Sequence, residues 1–250
     1  MFIDTHCHLS KEDYDDIDLV IKENRESGVG KIIISGCSKD SIIESIELSK
    51  KYDDIYLTLG YHPSEVGLVT DEDLVELEKL LSLDKVVGLG EIGLDYYYGK
   101  DNKEEQIDLF RKQLSIAEKV DIPVVIHSRD AVEDTINILK EYDLTGVIHC
   151  FSGSVETAKI YTSMGYMLGI GGVVTFKNSN LYKVVEEVGL KNIVLETDSP
   201  YLAPTPFRGQ KNSSKYIPLI GDRIAEILNI GVSEVAEETT KNACSMFDLD

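Results

Sequence analysis

Short apolar runs rich in β-branched residues alternate with longer stretches of helical period along the whole chain. Eight runs predict strands: Phe2–His6, Lys31–Ser35, Ile55–Gly60, Val86–Glu91, Val124–His127, Gly146–His149, Tyr166–Ile170 and Ile193–Glu196. Helical patterns fall between them near 13–27, 39–51, 71–82, 103–120, 130–141, 155–164 and 180–188, and two more, near 213–229 and 233–247, follow the last strand. Local punctuation agrees: Asp71 and Ser154 suit helix N-caps, Gly28 and Gly165 suit C-caps, and Pro123 opens a strand. Gly169, Gly171 and Gly172 blur the end of the seventh strand. No linker or break in composition divides residues 1–250. Eight βα units in one domain of this length predict an α/β fold, a single closed (β/α)8 or TIM barrel with extra C-terminal helices, over an open doubly wound sheet.

Composition narrows the class. Apolar residues make up 42% and charged residues 28%, enough core to exclude disorder. Apolar runs such as Ile32–Ile34 and Val124–Ile126 are strand-sized, so no membrane span is expected. The start, Met-Phe-Ile-Asp-Thr-His, lacks the basic and apolar regions of an export signal, and the cysteines at 7, 37, 150 and 244 form no CxxC pair. A cytoplasmic protein with reduced thiols, and no obligate protein partner, is the expectation.

Charge changes the picture more. Lys and Arg number 25 against 45 Asp and Glu, a net of −20. Such a chain cannot hold a polyanion by a general basic face. Phosphate chemistry would need local positive charge, and metal ions are the obvious source. Acidic, solvated helix surfaces explain most of the acids without any function.

The five histidines, His6, His8, His62, His127 and His149, all fall at the C-terminal ends of predicted strands, with Glu91 ending the fourth and Asp198 following the eighth. In a (β/α)8 barrel these ends share the rim where active sites are built. In His6-Cys7-His8, alternate residues face one way, so two imidazoles would point into the mouth as a chelate for a divalent ion, with Cys7 turned into the core. HxH alone is commonly chance; Glu91 and Asp198 on the same rim strengthen it. A lone histidine after Val-Val-Ile or Gly-Val-Ile is usually a core group, but His127 and His149 on neighbouring strands beside a carboxylate read as a second metal centre. Glu91, in a glycine-rich run, would bridge the two imidazole sets; otherwise it is a buried acid paired with a base. Asp198, at the strand tip before Pro200, is a ligand or general base, or else a turn aspartate. Glu196 shares its parity and ranks behind the ligands. His62 reads as a substrate or proton-transfer residue.

Together, His6-Cys7-His8, Gly60-Tyr61-His62-Pro63, Gly90 to Tyr96, Ile126-His127-Ser128-Arg129, His149 to Gly153 and Glu196 to Leu202 resemble the TatD family over essentially the whole chain. The resemblance implies a TIM barrel and metal-dependent hydrolysis of DNA phosphodiesters, often as a 3′-to-5′ exonuclease on single-stranded or frayed ends. Carried over by position, His6, His8, Glu91 and Asp198 would hold one divalent ion, and Glu91, His127 and His149 the other. One departure stands out. The family usually continues from Arg208-Gly209 to Asn-Glu-Pro, whereas here Asn212 precedes Ser213-Ser214, in a loop expected to overhang the site.

The expected chemistry follows. Two divalent ions, Zn²⁺ or Mn²⁺ by ligand type and Mg²⁺ less so, would make the site locally positive and turn bound water into a nucleophile near neutral pH, oriented or deprotonated by Asp198. Arg129 and Arg208 are expected phosphate clamps. Tyr96, Tyr97 and Tyr98 would either stack on bases or pack beneath the rim. Alternatives are an amidohydrolase acting on a small ester, amide or lactone, an aminoacyl-tRNA ester hydrolase, and a binding protein with an inert barrel.

Overall fold

The alternating pattern folds as its periods require. In the computed structural model, which describes residues 1–97 and 101–249, eight parallel strands pair in sequence order: β1 (Phe2–Cys7), β2 (Val29–Gly36), β3 (Ile55–Leu59), β4 (Val86–Asp95), β5 (Val124–Arg129), β6 (Gly146–Ile148), β7 (Tyr166–Ile170) and β8 (Ile193–Leu195). The intervening helices are α1 (Ile17–Glu26), α2 (Lys39–Lys51), α3 (Asp71–Leu80), α4 (Lys103–Val120), α5 (Val132–Leu139), α6 (Val155–Ser163) and α7 (Leu181–Val188). Two more, α8 (Ile217–Leu228) and α9 (Val232–Phe247), follow the last strand. The (β/α)8 barrel with extra C-terminal helices is therefore the fold. Among the described residues, no helix is long and apolar enough to cross a membrane.

Several boundaries move for local reasons. Helix α1 starts at Ile17 rather than 13 because the Asp16 side chain caps it, accepting from the Leu19 N–H at 2.9 Å. Thr70, not Asp71, caps α3, in a reciprocal box with Asp73. Ser154 caps α6 as expected. Gly28 and Gly165 lie one residue beyond their C-caps, at φ 85 and 90.

The strand seam and the strand register position the site. Between β1 and β8 the barrel is joined by bonds from the Asp198 N–H to the His6 carbonyl (3.0 Å) and from the His8 N–H to the Ser199 carbonyl (2.7 Å). Fully buried Asp4 adds to the seam, accepting from the Thr197 N–H at 3.0 Å and its hydroxyl at 2.6 Å. Burial pushes the Asp4 carboxyl up to about 7.

Strict alternation from Ile3 would aim Thr5 and Cys7 inward. Instead, β1 gains a residue against β2: Asp4 pairs with Ile32 but Cys7 with Ile34. That bulge resets parity, so His6 and His8 face the barrel axis and Cys7 is buried on the helix side. Strand β4 does the same against β5, with Leu89 opposite Val124 and Ile92 opposite Ile126, which turns Glu91 inward. The lower interior is apolar: Ile3, Ile33, Val125, Val147 and Val194 pack with Phe247 of α9.

Candidate metal centre

The inward positions at the strand tips bring the predicted side chains together. Glu91, 4% exposed, stands at the centre. Its Oε2 lies 3.5 Å from His6 Nε2 and 3.7 Å from His8 Nε2, while its Oε1 lies 2.7 Å from His127 Nδ1 and 2.9 Å from His149 Nε2. Asp198 Oδ1 completes the first side, 3.5 Å from His8 Nε2 and 3.9 Å from His6 Nε2. Donors bound to one ion at about 2.1 Å in a tetrahedron stand about 3.4 Å apart, close to the 3.5–3.9 Å separations among His6, His8, Glu91 and Asp198 and longer than most hydrogen bonds. Both ring nitrogens of buried His6 lack a hydrogen-bond partner, and an ion on Nε2 would satisfy one of them. The second side is tighter, with His127 Nδ1 and His149 Nε2 at 3.4 Å. Imidazole and carboxylate donors in this arrangement fit a divalent ion on each side of Glu91.

Two carboxylates stand behind the second pair of imidazoles. His127 Nε2 lies 3.2 Å from Asp95 Oδ2, and His149 Nδ1 lies 3.5 Å from Glu196 Oε1. Such partners set the ring's orientation and raise its basicity. Glu196 was within reach of the strand parity; Asp95 was missed because the predicted strand stopped at Glu91. Alternation along Glu91, Gly93 and Asp95 is the signal that could have found it. Gly93 sits at φ 145, where a Cβ would come within 2.0 Å of the His127 carbonyl oxygen. Gly169 makes room for Glu196 in the same way, a Cβ there falling 2.1 Å from Glu196 Oε2. Hence Gly169, one of the glycines that blurred the seventh strand, lets a neighbour's carboxylate through, whereas a Cβ at Gly172 would meet the Leu202 carbonyl oxygen at 2.4 Å.

Charge and burial compete at each group. Burial pushes Glu91 up, but the surrounding imidazoles overcome it and hold the carboxyl well below its usual range. Burial likewise lowers His8, His127 and His149, yet the bond to Asp198, the bond to Asp95 and the charge of Glu91 respectively leave all three raised. Asp198 is lowered, its burial outweighed by His8. His6 is lowered by burial and by His149.

His62 reaches the same mouth, with Nε2 3.8 Å from Glu91 Oε1 and its ring edge-on to His127 at 4.5 Å. Its Nδ1 accepts the Ser64 N–H at 3.1 Å. Burial pushes it down to about 4, so the ring is neutral and carries its hydrogen on Nε2. His62, Asp95 and His127 also cluster their donor atoms; with that hydrogen in place, His62 Nε2 offers a donor rather than a lone pair.

Other expectations divide. Arg129, at the tip of β5, lies 3.6 Å from the Tyr97 ring centroid, and exposed Arg208 lies 4.1 Å from that of Phe176. Tyr96, expected as a substrate-binding residue, requires correction. Because β4 runs on to Asp95, Tyr96 turns outward, is 5% exposed, and donates its hydroxyl to Asp134 Oδ2 of α5 at 2.9 Å. Tyr98 lies outside the described residues. Lys211 bonds to the Asp13 carbonyl and Lys215 to Glu23. After Arg208 the chain turns inward: Asn212, Ser213 and Ser214, expected in an overhanging loop, are buried. The Asn212 amide donates to the carbonyls of Thr197 (2.8 Å) and Tyr201 (2.6 Å), and Ser213 bonds Asn24 of α1.

Comparison with known proteins gives the family. Residues 3–248 match the family described as TatD related DNase. The chain is 40% identical to the uncharacterized metal-dependent hydrolase YabD of Bacillus subtilis, over the full length of both. It superposes on the crystal structure of YjjV, a TatD homologue from Escherichia coli, with a TM-score of 0.94 and 32% identity, covering 100% of this chain and 98% of that one. A TatD family hydrolase from Entamoeba histolytica follows with a TM-score of 0.89 and 25% identity, covering 98% of this chain and 97% of that one. With a family match over nearly its whole length and relatives of this identity, the chain belongs to the TatD related DNase family.

Proposed function

We propose that this metal-dependent hydrolase of the TatD family cleaves phosphodiester bonds of DNA, as a 3′-to-5′ exodeoxyribonuclease working with two divalent ions. The observation that carries the reading is the division of Glu91: one carboxylate oxygen faces His6 and His8, the other His127 and His149. In this assignment His6, His8, Glu91 and Asp198 hold one ion, and Glu91, His127 and His149 the other. When bound, such a pair supplies positive charge to a scissile phosphate and makes water a stronger acid.

The protein's own groups then have distinct tasks. Asp198, whose side chain is 16% exposed, faces the mouth and takes or orients the proton of the attacking water. His62 donates its Nε2–H to a phosphate oxygen. Arg129 and Arg208 hold further phosphate oxygens, their guanidinium planes held against aromatic rings. In a −20 chain, attraction for the phosphate is confined to this mouth, so binding is short-ranged.

The test is to strip the protein of metal and assay 5′- and 3′-labelled single-stranded DNA with Mg²⁺, Mn²⁺ or Zn²⁺ restored separately, beside Glu91→Ala. Metal-dependent shortening from the 3′ end, lost in the variant, is the expected result. Stoichiometric metal binding without cleavage under any ion would overturn the nuclease reading in favour of a small ester or amide substrate.

A further inference from the structure

The metal donors account for where a phosphate would sit but leave the apolar side chains of the mouth unexplained. Tyr201 is 60% exposed and Leu202 is 41% exposed, three and four residues beyond Asp198. The Tyr201 ring stands edge-on to His8, with centroids 6.2 Å apart. Leu202 has φ 53, the left-handed region in which a bulky side chain is strained. An exposed leucine held in that conformation gains little packing in return.

The loop beneath them is firmly held. Buried Asn212 donates to the Tyr201 and Thr197 carbonyls, and the Tyr201 N–H donates to the Asp198 carbonyl at 2.9 Å. The apolar pair therefore keeps a fixed relation to the metal donors. Tyr97, after β4, is also exposed at 55%, but the Arg129 guanidinium already lies over its ring. The two tyrosines thus differ in what they offer: an arginine-covered ring on one loop and an exposed ring with a leucine beside it on the other.

Charge identifies the occupant. In a −20 chain, the attraction for phosphate assigned above rests on the ions the donors would hold and on Arg129 and Arg208. A second source of grip has to be uncharged, and stacking of a base on an aromatic face supplies it for any base. We propose that Tyr201, flanked by Leu202, forms a nucleobase subsite that takes the base of a nucleotide adjoining the scissile phosphate. This rests on the DNA-cleaving reading above, and it adds a source of affinity independent of phosphate.

The experiment compares metal-loaded wild type, Tyr201→Ala and Tyr201→Phe on two substrates, a thymidine octamer and an octamer of abasic tetrahydrofuran nucleotides. Tyr201→Ala is expected to raise KM for the thymidine octamer about tenfold or more, with kcat little changed. On the abasic octamer the variant and wild type should share one KM. Tyr201→Phe, which keeps the ring, should match wild type on both, and metal stoichiometry should be unchanged throughout. A KM rise of the same size on both substrates, or none on either, overturns the subsite while leaving DNA cleavage standing. A wild type inert on the thymidine octamer overturns the DNA reading and the subsite with it.

Discussion

The inward faces of β5, β6 and β8 change character within two residues. Val125, Val147 and Val194 pack into an apolar plug with Phe247, whereas His127, His149 and Glu196, next along the same faces, form a cluster of imidazoles and carboxylates. The strands and parity are shared; the chemistry is opposite. Burial of apolar area holds the lower half together, a contribution that neither protons nor metals alter. In the upper half, burial works against every charged group, and the cluster persists because each charge has a partner. The barrel is thus a stable base carrying a costly, reactive top.

That division is open to breakage. Glu91→Gln should lower activity about a thousandfold or more and abolish the rise in melting temperature on adding metal, read by steady-state kinetics and thermal melts. Phe247→Ala should do the reverse, costing about 3–5 kcal/mol in denaturant unfolding while leaving kcat per folded molecule intact. A plug variant that folds but loses kcat would show that the two halves are not separable. Asp95→Asn sharpens the comparison within the upper half: by loosening His127 it should weaken metal binding or activity about 10- to 100-fold, measured by metal titration. Unchanged affinity would remove Asp95 from the centre.

The pH response should be smallest, and larger in the metal-free protein than in the loaded one. His8, His127 and His149 are raised above the ordinary histidine value of 6.5. Their stabilisation is fully present below 6.5 and is lost as pH climbs through the raised values. Lowered His6 and His62 act only below 6.5, because above it they are neutral in both folded and unfolded chains. Asp4, pushed up to about 7, loses stability in the same direction as pH rises toward that value. The melting temperature of the metal-free protein should therefore fall as pH rises above 6.5. Bound metal should flatten that fall, since the ligands no longer carry protons. A flat or rising curve without metal would contradict these pairings.

Chain order and local period were enough to place eight strands, their helices and six convergent imidazole and carboxylate side chains on one rim, because strand tips in a (β/α)8 barrel must meet there. Turn chemistry was equally local, as Ser154 and the glycines after α1 and α6 show. Register was not. Whether His6 or Cys7 faces the axis depends on an extra residue in β1 measured against β2, and the inward turn of Glu91 depends on a similar bulge measured against β5. Those are relations between strands, which no window of one strand contains. Asp95 was hidden differently, by a strand ended too early at Glu91, while the hydroxyl partner of Tyr96, Asp134, lies 38 residues away on α5. Ser213 shows the limit of a local window once more: from its neighbours it looked like part of an overhanging loop, yet its hydroxyl meets Asn24, 189 residues away. Local patterning determined which residues arrive at the mouth, and tertiary pairing decided which way each one points.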